Sequence, residues 1–240
     1  MSMLDFAIKA TTEYIDHMPK SQRKKYGQFF TSKETAAFMA ELFEIPDKRQ
    51  TLSILDPGAG SGILSVALLE RLQAFSAIKE IRLVCYENDP NVMELLRANL
   101  DVVRSQSKQK ISYEIVSDNY ILSQATDYNL MLGANLEPEK FDFVIGNPPY
   151  MKIAKDAPEA LAMPDVCYGA PNLYFLFASM SMFNLRDGGE MVYVTEYESV
   201  YHTSESCTHL DLSVHRGTKT QVEQKRNEYG GKYHACERCG

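Results

Sequence analysis

Along most of the chain, short apolar runs alternate with longer apolar stripes at helical spacing. The short runs at residues 52–55, 81–86, 111–116, 141–145 and 191–195 are the right length for buried strands. Residues 63–75, the segment that Pro90 opens through Leu95, Leu96 and Leu100, and residues 173–185 read as helices. Gly188-Gly189 is expected to break the last of these before the fifth strand. Upstream, Leu4, Ala7, Ile8 and Ile15 mark an amphipathic helix that Pro19 ends. Thr31 or Ser32 can cap a second helix, with Ala37, Phe38, Leu42 and Phe43 on one face.

This alternation predicts an α/β fold: an open, mainly parallel sheet with helices on both faces. Ligands of such sheets bind outside the carboxyl ends of the strands. The polar punctuation sits at those ends, so four loops should meet in one cleft. Three regions are expected. Residues 1–50 form a helical lead-in, 51–195 the α/β domain, and 196–240 a small irregular tail poor in Leu and Ile.

The net charge of −7 argues against a broad phosphate-gripping surface. Arg23, Lys24 and Lys25 form one small basic cluster, which reads more simply as a solvated loop. No apolar run is long enough to span a bilayer, and the first residues lack the pattern of a signal peptide. The expectation is a cytoplasmic chain with no membrane partner. Five cysteines, an odd number, argue against a disulfide framework.

The candidate chemistry lies in the loops. Asp56-Pro57-Gly58-Ala59-Gly60-Ser61-Gly62 follows a strand and opens a helix. Its glycines let backbone approach a ligand, although the same pattern serves a dinucleotide or a plain tight turn. Glu87, after the second strand, can accept the hydroxyls of a ribose. Asp118, after the third, can receive an adenine amino group or be a simple turn residue.

Asn147-Pro148-Pro149-Tyr150, after the fourth strand, is more specific. The two prolines stiffen the segment and restrict Asn147. The Asn147 side-chain oxygen and the Pro148 carbonyl can then accept both hydrogens of one amino group. That frees the lone pair of a planar amine, otherwise a poor nucleophile, to attack a methyl sulfonium. Tyr150 offers a face to a flat base taken out of its stack.

These motifs in this order resemble the amino-methyltransferases of DNA, specifically the adenine-N6 group. The resemblance runs from about Lys24 to Thr195 and implies a Rossmann-like fold that uses S-adenosylmethionine. The family's cofactor loop is similar to Asp56–Gly62, including Asp56, Gly58, Gly60 and Gly62. Its ribose acid is similar to Glu87, its adenine-contacting acid to Asp118, and its catalytic tetrapeptide to Asn147–Tyr150. Gly27-Gln28-Phe29-Phe30-Thr31 resembles an element of the type I and type IIG restriction-modification subgroup that covers the methionine end of the cofactor. Phe30 and Thr31 are its candidate contacts, and Asn147 borders both cofactor and base. The implied partners are DNA and a specificity or target-recognition subunit. Members of this subgroup continue well past the fifth strand, so the chain reads as shortened or rearranged.

The tail carries Tyr201-His202, Cys207, and Cys236-Glu237-Arg238-Cys239. His202, Cys207, Cys236 and Cys239 could complete a tetrahedral Zn2+ site, or the thiols could be unliganded. Rival functions are methylation of a glutamine amide in a release factor, cytosine-N4 methylation, and a non-catalytic remnant acting as a binding subunit.

Overall fold

The computed structural model describes residues 1–17, 30–46, 48–131, 140–167, 169–193, 200–201 and 234–235. Arg23 to Lys25, Gly27 to Phe29, and the proposed zinc ligands His202, Cys207, Cys236 and Cys239 lie outside them. Among the described residues, no His, Cys, Asp and Glu group of three or more could hold a metal.

Five strands form one parallel sheet: β1 (Thr51–Asp56), β2 (Glu80–Tyr86), β3 (Lys110–Val116), β4 (Phe141–Gly146) and β5 (Leu185–Tyr193). Their spatial order is β3-β2-β1-β4-β5. The chain thus winds outward from β1 in one direction and then in the other. The switch falls between β1 and β4, where Ile54 pairs with Phe143 and Leu55 with Val144. A crevice opens beyond the carboxyl ends at such a switch.

Neighbouring strand residues point to opposite faces, and the core divides accordingly. Ile54, Leu83 and Phe143 pack on one side with α1 (Met3–His17), α2 (Lys33–Glu41), α3 (Ile63–Leu72) and α4 (Pro90–Gln106). Leu55, Val84 and Val144 pack on the other with α5 (Tyr120–Met131), α6 (Pro158–Ala162) and α7 (Leu173–Asn184). Every residue from Ile63 to Leu69 is buried, because α1 and α2 both lie against α3 while α3 lies on the sheet. A helix apolar on all sides fits that enclosed place. No described helix is long and apolar enough to cross a membrane.

Strands β1 to β4 and helices α1, α3, α4 and α7 fall where the hydrophobic pattern puts them; β5 begins at Leu185, ahead of its expected start at Met191, and four further details differ. In α2 the buried residues are Ala36, Met39 and Ala40, with Phe43 just beyond, so the face is turned from the expected one; Ala37, Phe38 and Leu42 are only partly buried. Helix α3 ends at Leu72, short of Phe75. Gly188-Gly189 does not stop a helix. It lies inside β5, where Leu185 pairs with Phe141 and the next partners are Glu190 and Phe143. Gly188 takes φ +73°, and a Cβ on Gly189 would sit 3.0 Å from the carbonyl oxygens of Arg186 and Asp142, so the pair serves a bulge. Helix α5 was not expected, since its apolar positions show little helical periodicity. Two short strands, β6 (Val200–Tyr201) and β7 (His234–Ala235), pair in parallel.

Candidate active site

The loop after β1 is held from three sides. Ala59 N–H donates to the Tyr86 carbonyl at 2.9 Å, tying the loop to the end of β2. Thr11 on α1 donates from its hydroxyl to the Ser61 hydroxyl at 2.9 Å, and Asn99 on α4 donates to the Ser61 carbonyl at 2.8 Å. Gly62 has φ +82°, and a Cβ there would lie 2.5 Å from Leu96 Cδ1, so any other residue would strain the backbone and displace Leu96. Asp56 is fully buried beneath the loop and accepts from the Ser65 hydroxyl at 2.6 Å. Burial pushes its carboxyl up to about 7, against the Ser65 hydroxyl and Gly58 N–H, which favour the charged form.

Glu87 begins the loop after β2. Its Oε1 accepts from Asp89 N–H at 2.8 Å. Burial raises its pKa, while the backbone N–H groups of Asp89 and Gly60 oppose the shift. Asp89 caps α4 through Asn91 N–H at 2.9 Å, with Pro90 in the first turn. After β3, Asp118 is exposed, and Asn119 caps α5 through Leu122 N–H at 3.1 Å while donating to Glu159 at 2.8 Å.

Asn147 follows β4 directly. Its Nδ2 donates to Thr31 Oγ1 at 3.2 Å. Its Oδ1 is buried and has no hydrogen-bond partner among the described residues. The Tyr150 ring stacks on Tyr174 with centroids 5.1 Å apart and planes 20° apart. The chain after Tyr150 is pinned to the start of α7: Leu173 N–H donates to Met151 O at 2.9 Å, and Ile153 N–H to Pro171 O at 3.0 Å.

These loops enclose a cleft of about 370 Å³. Phe30, Gly58, Gly60, Glu87, Asp118 and the whole of Asn147–Tyr150 line it. Most of the candidates from sequence are thus brought to one place. Asp56, Gly62 and Thr31 do not line it; they lie behind the wall and shape it. Sequence reasoning missed Thr11, Asn99, Tyr86, Tyr120, Tyr174 and Phe177. Thr11 had a legible trace, since it shares the helical face of Leu4 and Ala7. Tyr174 had none, because only the fold brings it under Tyr150.

The arrangement offers a buried acceptor, a proline-fixed carbonyl and an aromatic face on one side, with a glycine cradle and a carboxylate on the other. It suits holding a flat amine against a polar, hydroxyl-bearing cofactor. Comparison with known proteins points the same way. The family model described as N-6 DNA Methylase matches residues 11–165. The chain is 32% identical over 196 residues to the type II methyltransferase M.PstI of Providencia stuartii, covering 80% of this chain and 37% of that protein. It is 30% identical over 178 residues to the type II methyltransferase M.BsuBI of Bacillus subtilis, covering 72% and 34%. The chain therefore spans about a third of the length of these relatives. Among solved structures, a type I restriction-modification system methyltransferase subunit from Streptococcus thermophilus aligns with a TM-score of 0.49 at 21% identity, over 68% of this chain and 34% of that one.

Proposed function

Because the chain belongs to the N-6 DNA methylase family, we propose that its cleft binds S-adenosylmethionine and directs a methyl group onto the N6 amino group of adenine in DNA. The observation that carries this reading is Asn147, which lines the cleft and whose buried Oδ1 has no hydrogen-bond partner among the described residues. A buried polar atom left open costs free energy unless a ligand completes it. A hydrogen-bond donor such as an amino group would complete it.

The residues present fit the cofactor. Gly58 and Gly60 leave the loop open to a close ligand, and Glu87 stands at the ribose position at the end of β2. When bound, S-adenosylmethionine supplies an electrophilic methyl group. Asn147 Oδ1 and the Pro148 carbonyl accept the two amino hydrogens, which favours a tetrahedral nitrogen with its lone pair free. Tyr150, backed by Tyr174, gives the extruded base a rigid face. In this reading the partners are DNA and a target-recognition domain or subunit, which the acidic chain needs for its grip on phosphates.

The test is transfer from labelled S-adenosylmethionine to unmethylated DNA, with digestion to nucleosides. Label in N6-methyladenine is expected. Label in N4-methylcytosine, or transfer to a release-factor glutamine in place of DNA, would overturn the assignment. Glu87→Ala should abolish cofactor binding by calorimetry.

A further inference from the structure

Thr31 is 116 residues from Asn147 in the chain, yet its hydroxyl is the partner of the Asn147 amide nitrogen at 3.2 Å. It is 7% exposed. The next residue, Ser32, caps α2 by accepting from Thr35 N–H at 3.2 Å. Helix α2 in turn buries Ala36, Met39 and Ala40 in the core. The hydroxyl is therefore held by a packed element and not by a free loop. Phe30 lines the cleft and Thr31 does not, which separates the two neighbours in role.

A primary amide has a donor end and an acceptor end that exchange when its terminal torsion turns by half a revolution. The target amino group needs the acceptor end. A hydroxyl can donate as well as accept, so Thr31 does not choose the end by itself; the incoming amine does. What Thr31 fixes is the plane of the amide and the partner of the end turned away from the cleft. Without it, both ends of a buried amide would lack partners, and the broad torsion would wander.

We propose that Thr31 is a positioning residue for the transfer step, acting through Asn147; this rests on the methyl-transfer reading above. The variants are Thr31→Val, which keeps the shape and removes the acceptor, and Thr31→Ser, which keeps the hydroxyl. In Thr31→Val, kcat should fall about 10²-fold, the scale of a small misplacement of a reacting group, while the calorimetric Kd for S-adenosylmethionine stays within threefold (~) of the wild-type value. Thr31→Ser should restore most of kcat. The Asn147 side-chain amide protons, followed by 15N NMR and identified by their loss in Asn147→Ala, should exchange with water faster in Thr31→Val than in wild type. An unchanged kcat, or a weakened cofactor Kd with kcat intact, overturns the proposal and makes Thr31 a cofactor contact or a packing residue. If the wild-type chain transfers nothing to DNA, the functional reading fails. The exchange measurement then still decides whether Thr31 holds the amide, and equal exchange in wild type and Thr31→Val overturns that as well.

Discussion

Strand β4 bears a buried carboxylate at its second residue and, one residue past its end, a half-buried asparagine whose amide oxygen is buried. Asp142 is 3% exposed and completely partnered. It accepts from Arg49 and from the Ser53 backbone and hydroxyl at 2.8 and 3.0 Å, and it forms an ion pair with Arg186 at 3.0 Å. Among the described residues the Asn147 side chain has one partner, Thr31, and an acceptor with none. Both groups sit between the same two central strands, one at the amino end of the sheet and one at the carboxyl end. At the amino end these contacts tie β1, β4 and β5 together, with Arg186 Nε the one buried atom of the cluster left without a partner among the described residues. The carboxyl end leaves an acceptor open. In a parallel sheet the crossovers return at the amino ends and leave the switch-point crevice at the other, and Asn147 lines that crevice.

Two substitutions should break the molecule in opposite ways. Asn147→Ala is expected to reduce transfer to DNA by about 10²–10³-fold, as for the loss of one preorganised group. The urea midpoint and the cofactor Kd should stay near their wild-type values. Asp142→Ala should leave two arginines facing a void. It is expected to lower stability by about 3 kcal/mol, the low end for breaking a buried pair, because the Arg49 and Arg186 side chains remain 40% and 39% exposed. Its kcat per folded molecule should be little changed. If Asn147→Ala unfolded as readily as Asp142→Ala, the contrast between the two ends would be wrong.

Sequence showed the strands and the four loops, because parallel strands are continuous apolar runs and each ends in polar or small residues at the site. It therefore also showed Glu87, Asp118 and Asn147–Tyr150. It did not show what stands behind them. Tyr174 lies 24 residues after Tyr150 in an apolar helix, and only the pinning of Met151 and Ile153 to Pro171 and Leu173 brings the two rings together. Asn99 looks like an ordinary polar residue of α4, yet it is fully buried against Ser61. Helix α5 was missed because its pattern is weak and its partners, α6 and α7, are distant in sequence. The Gly188-Gly189 pair was misread because a bulge and a helix stop ask for the same residue.

Asp56 sharpens the contrast, since it is a buried carboxyl at the carboxyl end with no cationic partner among the described residues. Its pKa in the folded chain is raised to about 7 from 3.8. Between those values the folded state holds a proton that the unfolded state has lost. Stability from this group is therefore fully present below about pH 4 and is lost as pH rises to about 7. Asp56→Asn removes the titration and keeps the shape. Compared with wild type by urea unfolding, it should gain stability across that window at up to about 1.4 kcal/mol per pH unit. A parallel pair of stability curves would mean that Asp56 is ionised in the folded chain and that another group satisfies it.

The smallest effect concerns the far side of the glycine loop. Thr11 and Ser61 are both 2% exposed, and their hydroxyls join α1 to the loop at 2.9 Å. Thr11→Val keeps the volume and removes the donor, so the loss should be about 1 kcal/mol, the net worth of one buried hydrogen bond. Ser61 would keep its bond from Asn99 to the backbone, which limits how far the loop can drift. The expected result is a small drop in urea stability, a cofactor Kd a few-fold weaker (~) as the cradle loosens, and an unchanged kcat at saturating cofactor. That pattern would place Thr11 with Asp142, among the groups that hold the frame. A fall in kcat comparable with that of Asn147→Ala would instead mean that α1 acts on the reacting groups, and the division between the two ends of the sheet would have to be drawn through the loop itself.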